Sequence, residues 1–358
     1  MAAETSLPAP PHAAGLTRLR FAFIAWVVLY HLDLGLGVTR QFGLDWPWIS
    51  RGYLGVDGFF LLSGFALFLG YGHRPPLTWA AWRGFLLRRI AKIFPLHLLA
   101  LAALVLLVGA AMAAGITIRQ PERFSLRDLW LQALLLNAWE TTRVFAWNYP
   151  SWALSAEWAG YLAFPPVLWL VLRLPRAGLP PALALLLAGI ALQASWQYGS
   201  MNQALHLGLL RFGLEFGLGL CLARLLQPAA QPGGGALLPP WPLLVAGLAL
   251  LVAGLWLRQD AIAVAALAAI IAGAWRLPSG AAAPRDIVYR LGQASFGVYL
   301  CFVFIEAVLA GLQRILVAGP WLALLLLVLG FIANLLAGWL AWRLVEEPAH
   351  RWLLRRTH

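Results

Sequence analysis

Apolar residues run along this chain in long blocks, and polar residues gather in the gaps between them. Ten blocks are long enough to read as membrane-crossing helices, at approximately 18–38, 53–72, 93–115, 151–173, 180–197, 204–226, 241–257, 261–277, 291–313 and 320–343. Most gaps are short, and the two long ones carry information of their own. Residues 73–92 hold His73, Arg74, Arg83, Arg88, Arg89 and Lys92 around Trp79, Trp82 and Phe85. That basic, partly amphipathic pattern predicts a segment lying on a membrane surface. Residues 116–150 contain a second amphipathic stretch, LRDLWLQALLLNAW at 126–139, too short and too charged at its start to span. The PGGG run at 232–235 reads as a flexible connector. No repeat period emerges along the chain.

Composition narrows this pattern to one class. Hydrophobic residues make up 62% of the 358 and charged residues 11%, with a mean hydropathy of +0.78. A soluble domain of this length is excluded; the pattern predicts an all-α polytopic membrane protein of about ten transmembrane helices around a polar central site. The net charge of +12 does not indicate a nucleic-acid partner, because the arginines sit in short loops that orient helices against an inner membrane face. The loops on the side of both termini carry roughly twice the basic residues of the opposite loops, which predicts cytoplasmic termini. Cys221 and Cys301 both lie inside apolar blocks with no metal spacing, so they read as small core residues and no metal is expected. The first apolar block holds Arg20, His31 and Asp33 and ends in no small-residue cleavage site, which argues against a cleavable signal peptide.

Several polar residues fall where hydrocarbon does not tolerate them. Arg20 and His31 are separated by ten residues, FAFIAWVVLY, all apolar. Eleven residues make nearly a whole number of helical turns, so both side chains share one face, roughly 16 Å apart along the axis. A buried cation and a titratable base are costly, so the default reading of the pair is a functional site. The plain alternative is an arginine reaching back to the headgroups and a histidine satisfied by a neighbouring helix. Asp33, Asp57, Ser63, His97, Glu157, His206, Arg211, Glu215 and Glu306 also fall inside apolar blocks. Arg211 and Glu215, four apart, can pair with each other as a structural unit. His97, just inside a helix start, is placed near the headgroups, and Glu306, alone on its helix, faces a cavity or an interface. Glu157, in SWALSAEWAGYLAFP (151–165), needs a cation partner or a part in proton chemistry.

Taken in order, these blocks resemble the integral membrane acyltransferase family 3, which includes bacterial O-antigen and exopolysaccharide O-acetylases. LRFAFIAWVVLYH (19–31) matches the first-helix block with its Arg-x10-His. YLGVDGFFLLSGFAL (53–67) is similar to the G-V-D-x-F-F-x-L-S-G-F block, and LRRIAKIFPLHLLAL (87–101) to R-R-x-x-R-I-x-P-x-Y. WALSAEWAGYLAFP (152–165), LGQASFGVYLCF (291–302) and WRLVEEPAHRWLLRR (342–356) match later blocks. Lys92 stands where the family usually has a second Arg, His97 replaces a frequent Tyr, Ala153 a frequent Ser, and Phe302 a frequent His.

The resemblance implies a single integral membrane acyltransferase domain over 1–358, with no fused soluble domain, in a bacterial inner membrane. It implies an acyl-CoA donor, acetyl-CoA in the first instance, and a hydroxyl of a carbohydrate or lipid-linked acceptor. Arg88, Arg89 and Lys92 would hold the CoA phosphates, and Arg20 the phosphate or pantetheine region. His31 would act as general base or transient acyl carrier, with Glu157 or Asp33 orienting it. Trp152, Ser155 and Tyr161 join the substrate-contacting residues; for Asp57 and Ser63, helix packing and substrate contact both stand open. A proton-coupled transporter is the rival class, disfavoured by the missing internal symmetry. A translocator feeding acyl groups to a separate periplasmic transferase would use the same site.

Overall fold

The structure, a computed structural model, describes residues 13–118, 120–202, 204–227, 239–278, 286–316 and 319–355. The PGGG connector, Arg119, Arg285 and Arg356 lie outside the described residues. No strand occurs among the described residues. In chain order the helices are α1 (Ala13–Leu36), α2 (Val38–Gln41), α3 (Pro47–Ser50), α4 (Leu54–Tyr71), α5 (Trp79–Ala113) and α6 (Leu126–Ala133). After them come α7 (Ser151–Arg173), α8 (Leu179–Ser195), α9 (Gly208–Leu226), α10 (Pro240–Trp256) and α11 (Asp260–Arg276). The chain closes with α12 (Ile287–Gln293), α13 (Ser295–Ile315), α14 (Pro320–Ala341), a π-helical turn at Trp342–Glu346 and α15 (Glu347–Arg355).

Each predicted apolar block falls on a helix. Six helical segments among the described residues are long and apolar enough to cross a membrane: Ala14–Leu36, Leu54–Tyr71, Trp79–Ala113, Arg176–Ser195, Ser295–Gln313 and Pro320–Arg355. Three of the other blocks depart from that standard for visible reasons. α10 and α11 have 17 residues each, and α9 carries Arg211, Glu215 and Arg224. The protein is a multi-pass, all-α membrane protein.

Two stretches differ from their sequence reading. The basic segment at 73–92 is not a separate surface element. The Thr78 hydroxyl accepts from the Ala81 backbone N–H at 3.3 Å, and from that cap α5 runs unbroken for 35 residues through Pro95. At 1.5 Å per residue this is roughly 52 Å, longer than a hydrocarbon core of about 30 Å. Arg83, Arg88, Arg89 and Lys92 therefore ride on the first turns of a helix that continues as an apolar rod, with His73 and Arg74 in the turn before it. The amphipathic stretch at 126–139 is helical only to Ala133. Beyond it the chain turns repeatedly, with positive φ at Leu135, Glu140 and Trp147. This loop folds inward onto the start of α7: Ser155 donates to the Leu135 carbonyl at 2.7 Å and accepts from the Ala138 N–H at 3.0 Å. His97 is buried beneath it, with its Nε2 2.8 Å from the Gln132 carbonyl oxygen, not out at the headgroups.

Helix packing relies on small residues, as expected where lipid offers no hydrophobic drive. Gly64 of α4 and Gly219 of α9 face each other's helix backbones. A Cβ on Gly64 would strike the Phe216 carbonyl, and one on Gly219 the Leu61 carbonyl. This close approach sets Asp57 of α4 beside Arg211 of α9. The carboxylate takes both Nε, at 3.0 Å, and Nη2 of the guanidinium. Glu215 follows at 3.9 Å, so the arginine's main partner is Asp57 and not the Glu215 predicted from spacing. All three are buried.

Candidate active site

Two helices frame the site with matching spacings. On α1, Arg20 and His31 are eleven residues apart; on α13, Ser295 and Glu306 are also eleven apart. The helices run parallel, and both pairs meet. Arg20 donates through Nε to the Ser295 hydroxyl at 3.1 Å, and His31 Nδ1 lies 3.5 Å from a Glu306 carboxylate oxygen. The result is a ladder with two polar rungs roughly 16 Å apart along the helix axes. Tyr299 and Phe302 occupy the same face of α13 between the rungs, because 295, 299, 302 and 306 recur at helical intervals.

The upper rung holds a connected acid–base group. The Tyr149 hydroxyl, delivered by the inward loop, donates to Glu306 at 2.8 Å and lies 3.0 Å from His31 Nδ1. With its proton given to Glu306, the phenol oxygen accepts from Nδ1–H, and this tautomer leaves Nε2 of His31 as the basic nitrogen. Burial, then the nearby Glu306 carboxylate, raises the Tyr149 pKa, so the phenol keeps its proton for this bond. Phe302 stacks on the imidazole with centroids 4.7 Å apart and planes at 28°, so the aromatic that replaces the family's frequent His forms one wall of the site.

A cavity of about 710 Å³ opens at this rung. Tyr30, His31, Tyr149, Trp152, Phe302 and Glu306 are among its lining residues. A second cavity, about 450 Å³, lies at the lower rung. Arg20, Arg89 and Lys92 line it, with Ser63, Glu157 and Tyr161. Here Glu157 accepts from the Ser63 hydroxyl at 2.8 Å and from the Tyr161 hydroxyl at 2.6 Å. Arg89 lies over the Phe85 and Tyr161 rings at 5.3 and 5.5 Å, and its buried Nε has no hydrogen-bond partner. Lys92 pairs with Glu346, which the π-helical turn brings round to α5.

The sequence-predicted residues thus separate into two groups. Neither Glu157 nor Asp33 is bonded to His31. Glu157 lines the other cavity, and Asp33 holds the turn after α1 by accepting from the Thr39 backbone N–H at 2.8 Å and its hydroxyl at 2.6 Å. Two residues apart on one helix, Asp33 and His31 point in different directions. The carboxylate at His31 belongs to Glu306. Asp57 is taken up by Arg211, and Ser155 by the inward loop. Trp152 lines the upper cavity with the Arg211 guanidinium 5.4 Å above its ring. Arg88 is exposed and donates to the Tyr71 hydroxyl at 3.3 Å, outside the lower cavity's lining. Sequence reasoning left Glu306, Tyr149 and Tyr299 without roles. The eleven-residue interval from Ser295 to Glu306, repeating that of Arg20 to His31, was the available signal for Glu306; Tyr149, in a loop, offered none. No group of three or more His, Cys, Asp or Glu side chains able to hold a metal occurs among the described residues.

A family profile described as an acyltransferase domain matches residues 14–343, which takes in both rungs and both cavities. The chain is similar to the protein named Acyltransferase MdmB from Streptomyces mycarofaciens, at 34% identity over 164 residues. That match covers 45% of this chain and 40% of the relative. No solved structure matches. With the family profile spanning nearly the whole chain, the protein belongs to the integral membrane acyltransferase family 3.

Proposed function

We propose that this acyltransferase takes an acyl group, acetyl in the first instance, from cytoplasmic acyl-CoA and passes it to a hydroxyl of a carbohydrate or other cell-envelope acceptor at the bacterial inner membrane. The observation that carries the reading is the pairing of a cation-lined cavity at one rung with a histidine–tyrosine–glutamate group at the other. Arg20, Arg89 and Lys92 suit the CoA phosphates, with Arg88 at the approach. An extended pantetheine arm is comparable in length to the separation of the rungs, so the thioester arrives near His31.

The chemistry then needs only groups already in place. Nε2 of His31 removes the acceptor hydroxyl's proton as the oxygen attacks the thioester carbonyl. The C–S bond breaks, and the imidazolium returns its proton to the departing CoA thiolate. Glu306, with Tyr149 between, faces the charge that develops on the imidazole. Glu157 keeps Ser63 and Tyr161 in place on the wall of the donor cavity. The loop-charge bias supports cytoplasmic termini, and with them a donor cavity that opens towards the cytoplasm.

The test is CoA release from labelled acetyl-CoA by the purified protein in detergent, with and without candidate sugar acceptors. Acceptor-stimulated release is expected. Absence of release from any acyl-CoA would overturn the donor assignment. A reporter active only in the periplasm, fused to the C-terminus, should stay silent; a strong signal would invert the topology.

A further inference from the structure

We infer that Val56 and Tyr299 form a gate between the two cavities and set the size of acyl group that reaches His31. The inference rests on the donor reading above and adds a residue-level determinant of acyl choice. Val56 and Tyr299 are the two residues common to the linings of both cavities. Both are nearly inaccessible, at 6% and 8% exposure. Arg20, Arg89 and Lys92 line the lower cavity and His31 the upper one, so an acyl-CoA with its phosphates held at the lower rung has to carry its thioester past these two side chains to meet the imidazole.

Both gateposts are held firmly. Val56 lies on α4, which sits hard against α1: a Cβ on the adjacent Gly55 would lie 2.5 Å from the Phe23 carbonyl oxygen. Val56 therefore has little freedom to retreat by moving its helix. Tyr299 comes from the α13 side and is anchored at its tip, where the hydroxyl donates to the Pro150 carbonyl at 2.7 Å. Its ring also packs edge-on against Phe302 at 5.8 Å, and Phe302 stacks on His31. An aperture between a β-branched side chain and a tethered phenol, both rigid, excludes by size. A hydrophobic wall of this kind separates substrates differing by one methylene by about 10–200-fold.

The experiment uses the full-length protein in detergent with acetyl-, butyryl- and octanoyl-CoA, comparing the unaltered protein with Val56→Ala and Val56→Phe. CoA release is measured for each donor, and binding of labelled acetyl-CoA is measured alongside. Val56→Ala should raise the butyryl-to-acetyl ratio of kcat/KM by about tenfold or more. Val56→Phe should lower acetyl transfer by a similar factor while acetyl-CoA binding stays within about twofold, because the phosphate-holding residues are untouched. An unchanged acyl profile in a Val56→Ala protein that still transfers acetyl overturns the gate and leaves the donor reading standing. No CoA release from any donor by the unaltered protein overturns the donor reading, and the gate with it. Val56→Ala alone decides the matter if the larger substitution does not fold.

Discussion

The two ends of the α1 ladder treat buried charge in opposite ways. Around the His31 end the buried charges are matched: Arg211 has Asp57 and Glu215, Arg51 has Asp260, and His31 has Glu306 and Tyr149, while Arg123 donates to the Phe145 carbonyl. Around the Arg20 end, Lys92 has Glu346, but Arg20 and Arg89 line a cavity whose lining carboxylate, Glu157, is already engaged by two hydroxyls. Matched charges fix helices in place, since separating them in a low-dielectric interior is costly. A surplus of positive charge facing a cavity does little for the scaffold and much for an anionic ligand. One end is built to hold its geometry, the other to be completed by what binds there.

The comparison breaks most visibly at His31. His31→Ala should lower acyl transfer by about 10²–10⁴-fold, the usual range for losing a general base, with acetyl-CoA binding little changed. Unaltered turnover in a folded protein would reduce His31 to a packing residue. Next come two cation sites compared side by side. Asp57→Ala strands the buried Arg211 guanidinium and should remove about 3–5 kcal/mol of stability, read as a lower melting temperature in detergent. Arg89→Ala should leave melting nearly unchanged while weakening acetyl-CoA binding by about 10–100-fold, the worth of one charge-assisted contact. A phosphate-free thioester analogue should not register the loss. If Arg89→Ala lowered melting as Asp57→Ala does, the contrast between the two ends would fail.

Glu306→Gln keeps the shape at the upper rung and removes its charge. Turnover should fall by about 10–100-fold with melting preserved; full activity would show that the imidazole needs no counter-charge. The smallest effect is expected at Glu157. Gln still offers an oxygen to Ser63 and Tyr161, so activity should stay within about threefold and stability within about 1 kcal/mol. A loss as large as that of His31→Ala would move the chemistry to the lower cavity.

Helix positions were legible because the bilayer imposes long apolar runs, and the α7 block coincides with its helix from Ser151 to Arg173. The Arg20–His31 face was legible because one helix fixes it by itself. Which carboxylate serves His31 was not, because that depends on how α13 stands against α1. Glu157 sits in a strongly patterned block and drew the assignment, while Glu306 stood alone among apolar neighbours. Arg211 shows the same limit: local spacing pointed to Glu215, but the glycine contact between α4 and α9 brings Asp57 closer. The basic start of α5 read as a separate surface element because charge density resembles a break. Nothing in 79–113 stops a helix once Thr78 starts it, and Pro95 lies inside it.

The equal intervals on α1 and α13 also give the site a length standard. Each interval is eleven residues of continuous helix, so the distance between rungs is written in covalent rise and not in loop geometry. Sliding one helix against the other by a single turn, about 5.4 Å, would break both contacts at once. Tilting the two helices together, as a thinner or thicker bilayer demands, changes their angle to the membrane and leaves the interval as it was. On the proposed donor reading, the reach from anion to thioester is thereby gauged by the protein itself, insensitive to the thickness of the membrane around it.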